Sequence, residues 1–341
     1  MMRSLYITRY GGPEVLQIRE SADLSPSPGE VLIDVSHAGL NFADISARVG
    51  LYPDAPKPPM VVGYEVAGRV KVTGAGVEGF KVGDPVFAMT QFRGQASAVS
   101  VSQRQVFKIP PRMTFEEAAA LPVNYLTAFH MTHGIARLKP FDKVLIHMAA
   151  GGVGLAAIQL CRLTEGVEIF GTASEAKHPL LREAGVAHPI DYRKVDYAQE
   201  IRRITGGKGV QLVLDPLGGK DWEKGYELLA PTGQLIAFGW ANMISSERRR
   251  WVHVLSELLS TKRYSPMALM EKNRTVSGVN LGRLWKWEGL AAEMEELLSL
   301  YRQKKIAPRV DRVFPLSAGP DAHRYIQERR NVGKVLFDCA A

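Results

Sequence analysis

Only two cysteines occur among the 341 residues, Cys161 and Cys339, and they stand far apart. They offer no disulfide framework, and their scarcity points to a reducing compartment. Cys161 is expected in a buried helix and Cys339 at a frayed C-terminus. No N-terminal run of positive charge followed by apolar residues is present, so secretion is not expected and the reading is a cytoplasmic protein. Internal repeats and low-complexity tracts are also missing. Hydrophobic residues make up 46% and charged residues 23%, which is ordinary for a globular chain long enough to hold two cores. The net charge of +8 comes from 43 basic and 35 acidic residues. That excess is spread along solvated faces, so no nucleic-acid partner is expected. The densest basic run, Glu247-Arg-Arg-Arg250 before Trp251, reads as an exposed helix or loop.

One apolar stretch, Val144 to Cys161, is long enough to be mistaken for a membrane span. His147, Gln159 and the glycines in its middle argue against that. The order is a β-rich run, Val144–Ile146, then a glycine cluster, then a helix of small residues. This is the arrangement of a dinucleotide-binding turn, in which helical N–H groups and the positive end of the helix dipole meet a pyrophosphate. The motif is Ala149-x-Gly151-x-x-Gly154, with alanine in place of the first glycine. Gly151 allows close approach of the diphosphate, and Gly154 allows the helix to lie on the strand. Ala150, Gly152 and Val153 complete the candidate cradle. Met148 is an unusual residue for such a turn.

Residues 1 to about 120 read as short strands broken by Gly and Pro, among them Val31–Val35, Val66–Val72, Asp84–Phe87 and Ala98–Val101. This is a small, mostly antiparallel β domain. From about residue 123 strands and helices alternate, with strands at Val144–His147, Glu168–Gly171, Val210–Asp215, Leu235–Phe238 and Thr275–Val279, and a short one at His188–Asp191. Gly166, Gly185 and Gly206 fall where helix C-caps belong. The pattern predicts an α/β fold with a doubly wound parallel sheet. A helix, Ala291–Gln303, and a strand, Lys334–Asp338, close the chain. The expected divisions are 1–122, 123–280 and a returning segment, 281–341.

A series of motifs in order carries a resemblance over nearly the whole chain: Asn41-Phe-Ala-Asp44, Gly50-Leu-Tyr52, Val62-Gly-Tyr-Glu65-Val-Ala-Gly68, Lys81-Val-Gly-Asp84, Glu116–Leu121, the glycine turn, Asp215–Gly219 and Asn331-Val-Gly-Lys334. The chain resembles the medium-chain dehydrogenase/reductase superfamily, in particular its zinc-free quinone oxidoreductases and, within them, the vesicle amine transport protein homologues. The resemblance implies a GroES-like β domain beside a Rossmann domain. Zinc alcohol dehydrogenases of the superfamily place a ligand Cys where Asn41 stands, a His where Tyr64 stands and a third ligand near Val123. None of the three can hold zinc here, and two cysteines cannot make the four-Cys structural lobe. His130 and His133 lie at helical spacing and read as ordinary helix faces.

Without a Lewis acid, alcohol oxidation is difficult, whereas reduction of a quinone or an α,β-unsaturated carbonyl remains accessible to a nicotinamide. The chemistry and the resemblance both lead to an NADPH-dependent oxidoreductase. The strand after the glycine turn ends in Gly171-Thr-Ala-Ser174 rather than the acidic residue that would bind a ribose 2′-OH. Ser174 and Lys177 suit a 2′-phosphate, and Tyr192 matches a family position that contacts it. Glu175 is the dissenting residue. The resemblance places Asn41 and Tyr52 at the reacting end, Tyr52 either as proton donor or as an aromatic wall; an ordinary phenol, with a pKa of about 10, is protonated at neutral pH. It also implies cofactor contacts from Asn124, Thr127, Leu217, Phe238, Gly239, Asn331 and Lys334. Asp44 and Glu65 are expected to pair with basic neighbours. The apolar segment from Trp240 to Met270 fits a substrate cleft, core packing or a dimer edge. A homodimer through the Thr275–Val279 strand is expected. Peripheral membrane association stays open. So does the alternative of an NADPH-binding membrane-, lipid- or RNA-associated protein with little catalytic activity.

Overall fold

The computed structural model describes residues 1–244, 249–285 and 287–340. Glu247 and Arg248 of the basic run lie outside the described residues. The chain forms two compact units, one of Met1–Leu126, Glu247–Arg249 and Leu284–Ala341, the other of Thr127–Ser246 and Arg250–Arg283. In the first unit the strands are β1 (Met2–Ile7), β2 (Leu16–Ser21), β3 (Glu30–Leu40), β4 (Met60–Val61), β5 (Glu65–Thr73), β6 (Pro85–Met89), β7 (Ala98–Ser102) and β8 (Val106–Lys108). The second unit contributes β9 (Lys143–Ile146), β10 (Glu168–Thr172), β11 (His188–Ile190), β12 (Val210–Asp215), β13 (Leu229–Ala237) and β14 (Thr275–Gly278). Back in the first unit come β15 (Val310–Pro315) and β16 (Lys334–Asp338). The helices are α1 (Phe42–Arg48), α2 (Phe115–Ala120), α3 (Pro122–Phe129), α4 (Gly152–Cys161), α5 (His178–Ala184), α6 (Tyr197–Ile204), α7 (Lys220–Glu227), α8 (Trp251–Ser260), α9 (Pro266–Lys272), α10 (Gly289–Arg302) and α11 (Gly319–Gln327).

The first unit is built on a sheet of order β15-β16-β3-β5-β6-β8, with β7 also paired to β3, and a smaller sheet β2-β1-β4. All pairings except β15 with β16 are antiparallel. β3 can sit at the centre because Val31, Leu32, Ile33 and Val35 are all buried, so both of its faces are covered. Where β3 ends, Asn41 and Asp44 form a reciprocal capping box that starts α1. β16 lies beside β3, so Lys334 arrives next to the end of that central strand. Cys339 departs from expectation. Its amide donates to the Ser36 carbonyl at 2.9 Å and its side chain is fully buried, because the chain after β16 continues along the sheet. Burial pushes the thiol up to about 12.

The second unit holds a six-stranded parallel sheet of order β11-β10-β9-β12-β13-β14. The strand order reverses between β9 and β12, and in such sheets ligands bind off the C-terminal ends at that point. The stretch resembling a membrane span is split into β9, a turn and α4. Among the described residues no helix is long and apolar enough to cross a membrane. β13 begins at Leu229, earlier than its composition suggested. The Pro231–Gly233 kink is absorbed as a register irregularity against β12 instead of ending the strand. Gly185 takes the left-handed C-cap of α5. Of the apolar segment after Trp240, Tyr264 packs on the core beside Tyr226, with ring centroids 4.5 Å apart, whereas Trp251, Met267 and Met270 are exposed.

Gly154 fixes how closely α4 lies on the turn before it. A Cβ there would stand 2.5 Å from the Ala149 carbonyl oxygen and 2.6 Å from that of Met148, both backbone atoms. Gly154→Ala is therefore expected to lower stability by about 1–3 kcal/mol, the usual range for forced overpacking. Urea denaturation checks this; an unchanged midpoint would show that the helix moves away freely.

Candidate active site

The glycine turn runs from the end of β9 to the start of α4. Met148 occupies the left-handed region at φ 51°, which a residue with a side chain adopts at a cost, and its carbonyl accepts the Gly151 amide at 2.8 Å. Gly151 is the N-cap of α4, with no side-chain cap, and the first turn of the helix contains no acidic residue. An uncapped helix start presents N–H groups and a positive dipole end to an anion. Gly151, Gly152 and Val153 are half-buried and Ala150 is buried. The turns after β12 and β13 are joined: the Asn242 amide donates to Leu217 at 2.9 Å, the Phe238 amide to Asp215 at 3.0 Å, and the Ala241 amide to Pro216 at 2.8 Å. A Cβ on Gly239 would lie 2.9 Å from the Pro216 oxygen, so this contact needs a residue without one.

A second cluster stands at the end of β10. Ser174 and Lys177 belong to one tight turn, with the Lys177 amide donating to the Ser174 carbonyl at 2.9 Å. Asp191 ties this turn to the one after β11, accepting from the Glu175 amide at 3.2 Å and the Arg193 amide at 2.9 Å. Those backbone donors hold the Asp191 carboxyl below its usual range. Tyr192 and Lys177 are thereby placed on adjoining turns. Glu175, the residue at odds with a phosphate, is engaged by Lys194 at 2.5 Å.

In the first unit the polar centre is a buried ion pair. The Lys334 ammonium contacts Glu65 and donates to the Asn41 side-chain oxygen at 2.6 Å; both charged residues are almost fully buried. Asn41 in turn donates to Glu65 at 2.9 Å, so both ends of its amide are held. The Val123 amide donates to the other Glu65 oxygen at 2.7 Å. Gly39 of β3 makes room, since a Cβ there would collide with the Glu65 side chain. Glu65 thus pairs with a basic neighbour as expected. Asp44 does not: it accepts the Asn41 amide at 2.7 Å and the Gly63 amide at 3.0 Å as helix cap and loop anchor. Tyr64 is buried in edge contact with Tyr52, centroids 5.9 Å apart, and with Phe92 at 5.5 Å. Burial raises its phenol far above the ordinary range, helped by the Asp44 carboxylate and by Tyr52.

The remaining candidates are placed individually. Asn124 and Thr127 are buried on α3, the former donating to the Ala120 carbonyl at 3.5 Å. Asn331 donates to the Gly333 carbonyl at 2.9 Å. Lys334 has its ammonium on Glu65 and Asn41 and so holds the Asn41 amide from β16. His130 and His133 fall in a π-helical turn, and His133 stacks on Phe129 with centroids 4.7 Å apart. The polar core of the second unit, with His147, Thr172 and Asp215 all buried, was not singled out from the sequence. Its signal was a histidine and an aspartate at the ends of two apolar strands. Zinc does not fit this site: Asn41, Tyr64 and Val123 supply no ligand set, and among the described residues no group of three or more His, Cys, Asp or Glu side chains is placed to hold a metal.

Two family models match the chain, one described as alcohol dehydrogenase GroES-like domain over residues 27–130, the other as zinc-binding dehydrogenase over residues 184–336. The synaptic vesicle membrane protein VAT-1 homolog of Rattus norvegicus is 44% identical over 339 residues, covering 98% of this chain and 84% of the relative. Among solved structures, the Escherichia coli quinone oxidoreductase complexed with NADPH aligns with a TM-score of 0.87 at 29% identity, over 98% of this chain and 99% of that one. The CurK enoyl reductase aligns with a TM-score of 0.85 at 30% identity, over 99% of both chains. Fold and site together define a medium-chain dehydrogenase/reductase without a zinc ligand set. Within that superfamily the chain belongs to the family of the VAT-1 homologues.

Burial pushes both Asp44 and Asp215 up to about 7. An unfolded aspartate titrates near 3.9. A folded pKa above the unfolded one means that the folded state binds the extra proton, so this contribution to stability is complete below about pH 4 and is lost as the pH rises through about 7. Asp215→Asn should flatten the fall in urea-denaturation stability between about pH 5 and pH 8. An identical slope in the variant would contradict the raised carboxyl.

Proposed function

We propose that the protein is an NADPH-dependent, zinc-independent reductase of quinones or α,β-unsaturated carbonyls. The observation that carries this reading is the anion-ready end of the second sheet. The uncapped start of α4 suits a diphosphate. The Ser174–Lys177 turn beside Tyr192 suits a 2′-phosphate, with Glu175 drawn off by Lys194. Solved relatives named as a quinone oxidoreductase with NADPH and as an enoyl reductase support it. When bound, NADPH supplies the reducing hydride to the acceptor.

The chain's own residues do the rest. Asn41 is held at both ends by Lys334 and Glu65, which fixes its amide and leaves one N–H to orient an acceptor carbonyl or a ribose hydroxyl. Tyr52, half-buried against Tyr64, holds the proton that the reduced acceptor takes up. Asn124, Thr127, Leu217, Phe238, Gly239 and Asn331 are the further proposed cofactor contacts. β14 is the outer strand of its sheet, and we assign it to pairing with a second copy in a homodimer.

A second reading, attachment to an anionic membrane surface, is favoured by α8. Trp251, Val252, Leu255, Leu258 and Leu259 form one exposed apolar stripe on it, with Arg250 before it and Lys262 and Arg263 after. The chain's relatives are named as vesicle membrane proteins. Sedimentation with anionic liposomes that is lost on neutralising Arg249 and Arg250 supports this reading, and no sedimentation removes it.

Two substitutions test the enzyme. Lys177→Ala removes a charge-assisted hydrogen bond of about 1.5–3 kcal/mol, so NADPH affinity should fall about 10- to 150-fold while NADH affinity holds. Equal affinity of the wild type for the two coenzymes would overturn the assignment. Tyr52→Phe should lower kcat on enones; rates unchanged with every enone and quinone tested would leave Tyr52 as a wall of the site only.

A further inference from the structure

The second unit contains a buried polar chain that the function above does not use. It begins at the glycine turn, where the Met148 amide donates to the Thr172 hydroxyl oxygen at 3.3 Å. That hydroxyl lies 3.1 Å from Nδ1 of His147. On the far side of the ring, His147 Nε2 faces Asp215 Oδ2 at 3.9 Å, too far for a hydrogen bond, and neither of these two buried atoms has a hydrogen-bond partner. The second Asp215 oxygen accepts the amides of Leu217 at 2.5 Å and Gly218 at 3.3 Å, at the start of the turn after β12. The order Thr172–His147–Asp215 has the form of a catalytic triad, but all three side chains are at most 3% exposed. No substrate reaches them.

The chain joins the backbones of two turns that flank the point where the strand order reverses, and both turns carry proposed cofactor contacts. We propose that Thr172, His147 and Asp215 are positioning residues for the nucleotide: a buried strut that holds the glycine turn after β9 in register with the turn after β12. The inference rests on the nucleotide-binding reading given above.

Chemistry fixes the direction of the strut. Thr172 keeps its own proton while accepting the Met148 amide, and giving that proton to Nδ1 leaves the proton of a neutral imidazole on Nε2, aimed at the ionised Asp215 carboxylate. The opposite tautomer would set an Nε2 lone pair against the carboxylate in a dry site, which is repulsive. Burial keeps the imidazole neutral, pulling it down to about 4, with Asp221 opposing and Lys224 adding to the shift. The ring also meets the edge of Tyr197 at 4.7 Å, and that phenol donates to Asp221 at 2.9 Å. Asp221, Lys224 and Tyr197 are thus the other titratable groups facing the strut.

The test combines spectroscopy with binding. At pH 8, above the value of about 7 to which burial raises Asp215, the 15N shifts of His147 in the wild-type protein without nucleotide should show Nε2–H. An Nδ1–H tautomer there would overturn the direction of the chain. NADPH dissociation constants, read by fluorescence on variants that keep a wild-type near-ultraviolet circular dichroism spectrum, test the positioning role. Thr172→Val and His147→Phe should each weaken NADPH about tenfold or more, and the double variant should be no weaker than His147→Phe alone, because each lesion breaks one strut. Affinities within twofold of the wild type, or losses that multiply, contradict the proposal. A wild type that binds no NADPH sinks the nucleotide reading itself, whereas a wild type that binds tightly and variants that bind equally sink only the strut.

Discussion

The contact on which the first unit depends is the Lys334 ammonium enclosed by Glu65 and Asn41. A buried ion pair adds little stability over apolar residues of the same size, while losing one partner leaves a bare charge that costs about 3–5 kcal/mol. The arrangement is therefore best understood by what it orders. It reaches the Asn41 amide, the Val123 backbone and, through Tyr64 immediately before β5, the ring of Tyr52. Among them Asn41, Tyr64 and Val123 supply no zinc ligand set. In this chain the buried positive charge there belongs to a side chain, Lys334.

The second unit solves a different electrostatic problem with the same economy of charge. Its strand ends gather backbone donors and one well-placed lysine, and each nearby acid is turned to another task. Asp191 pins two turns, Glu175 is matched by Lys194, and Asp215 is turned inward beneath the sheet's C-terminal edge. An anion finds N–H groups there instead of carboxylates.

Much of this was legible in the chain itself. Strand–helix alternation and the glycine turn specify the parallel sheet, because a helix start with no side chain in the way has few other uses. Motif order gave the superfamily and the absence of zinc ligands. What escaped were properties of pairing. The contact of Lys334 with Glu65 and Asn41 emerges only when β16 is laid beside β3, and Asp44 reads as a partner for a base until its two backbone donors are seen. Cys339 reads as frayed because sequence alone does not show the last residues continuing beside the central strand β3. His147 and Asp215 lie on neighbouring strands far apart in sequence, so nothing local announced that they face each other.

Lys334 is the buried cation beside Asn41 and Glu65, and no zinc ligand set accompanies it among the described residues. The direct measurement is quinone-dependent NADPH oxidation before and after exhaustive dialysis against a chelator, with zinc quantified in the same samples. Undiminished turnover at substoichiometric zinc is the expected result. Activity that disappears with the metal and returns when zinc is restored would contradict it.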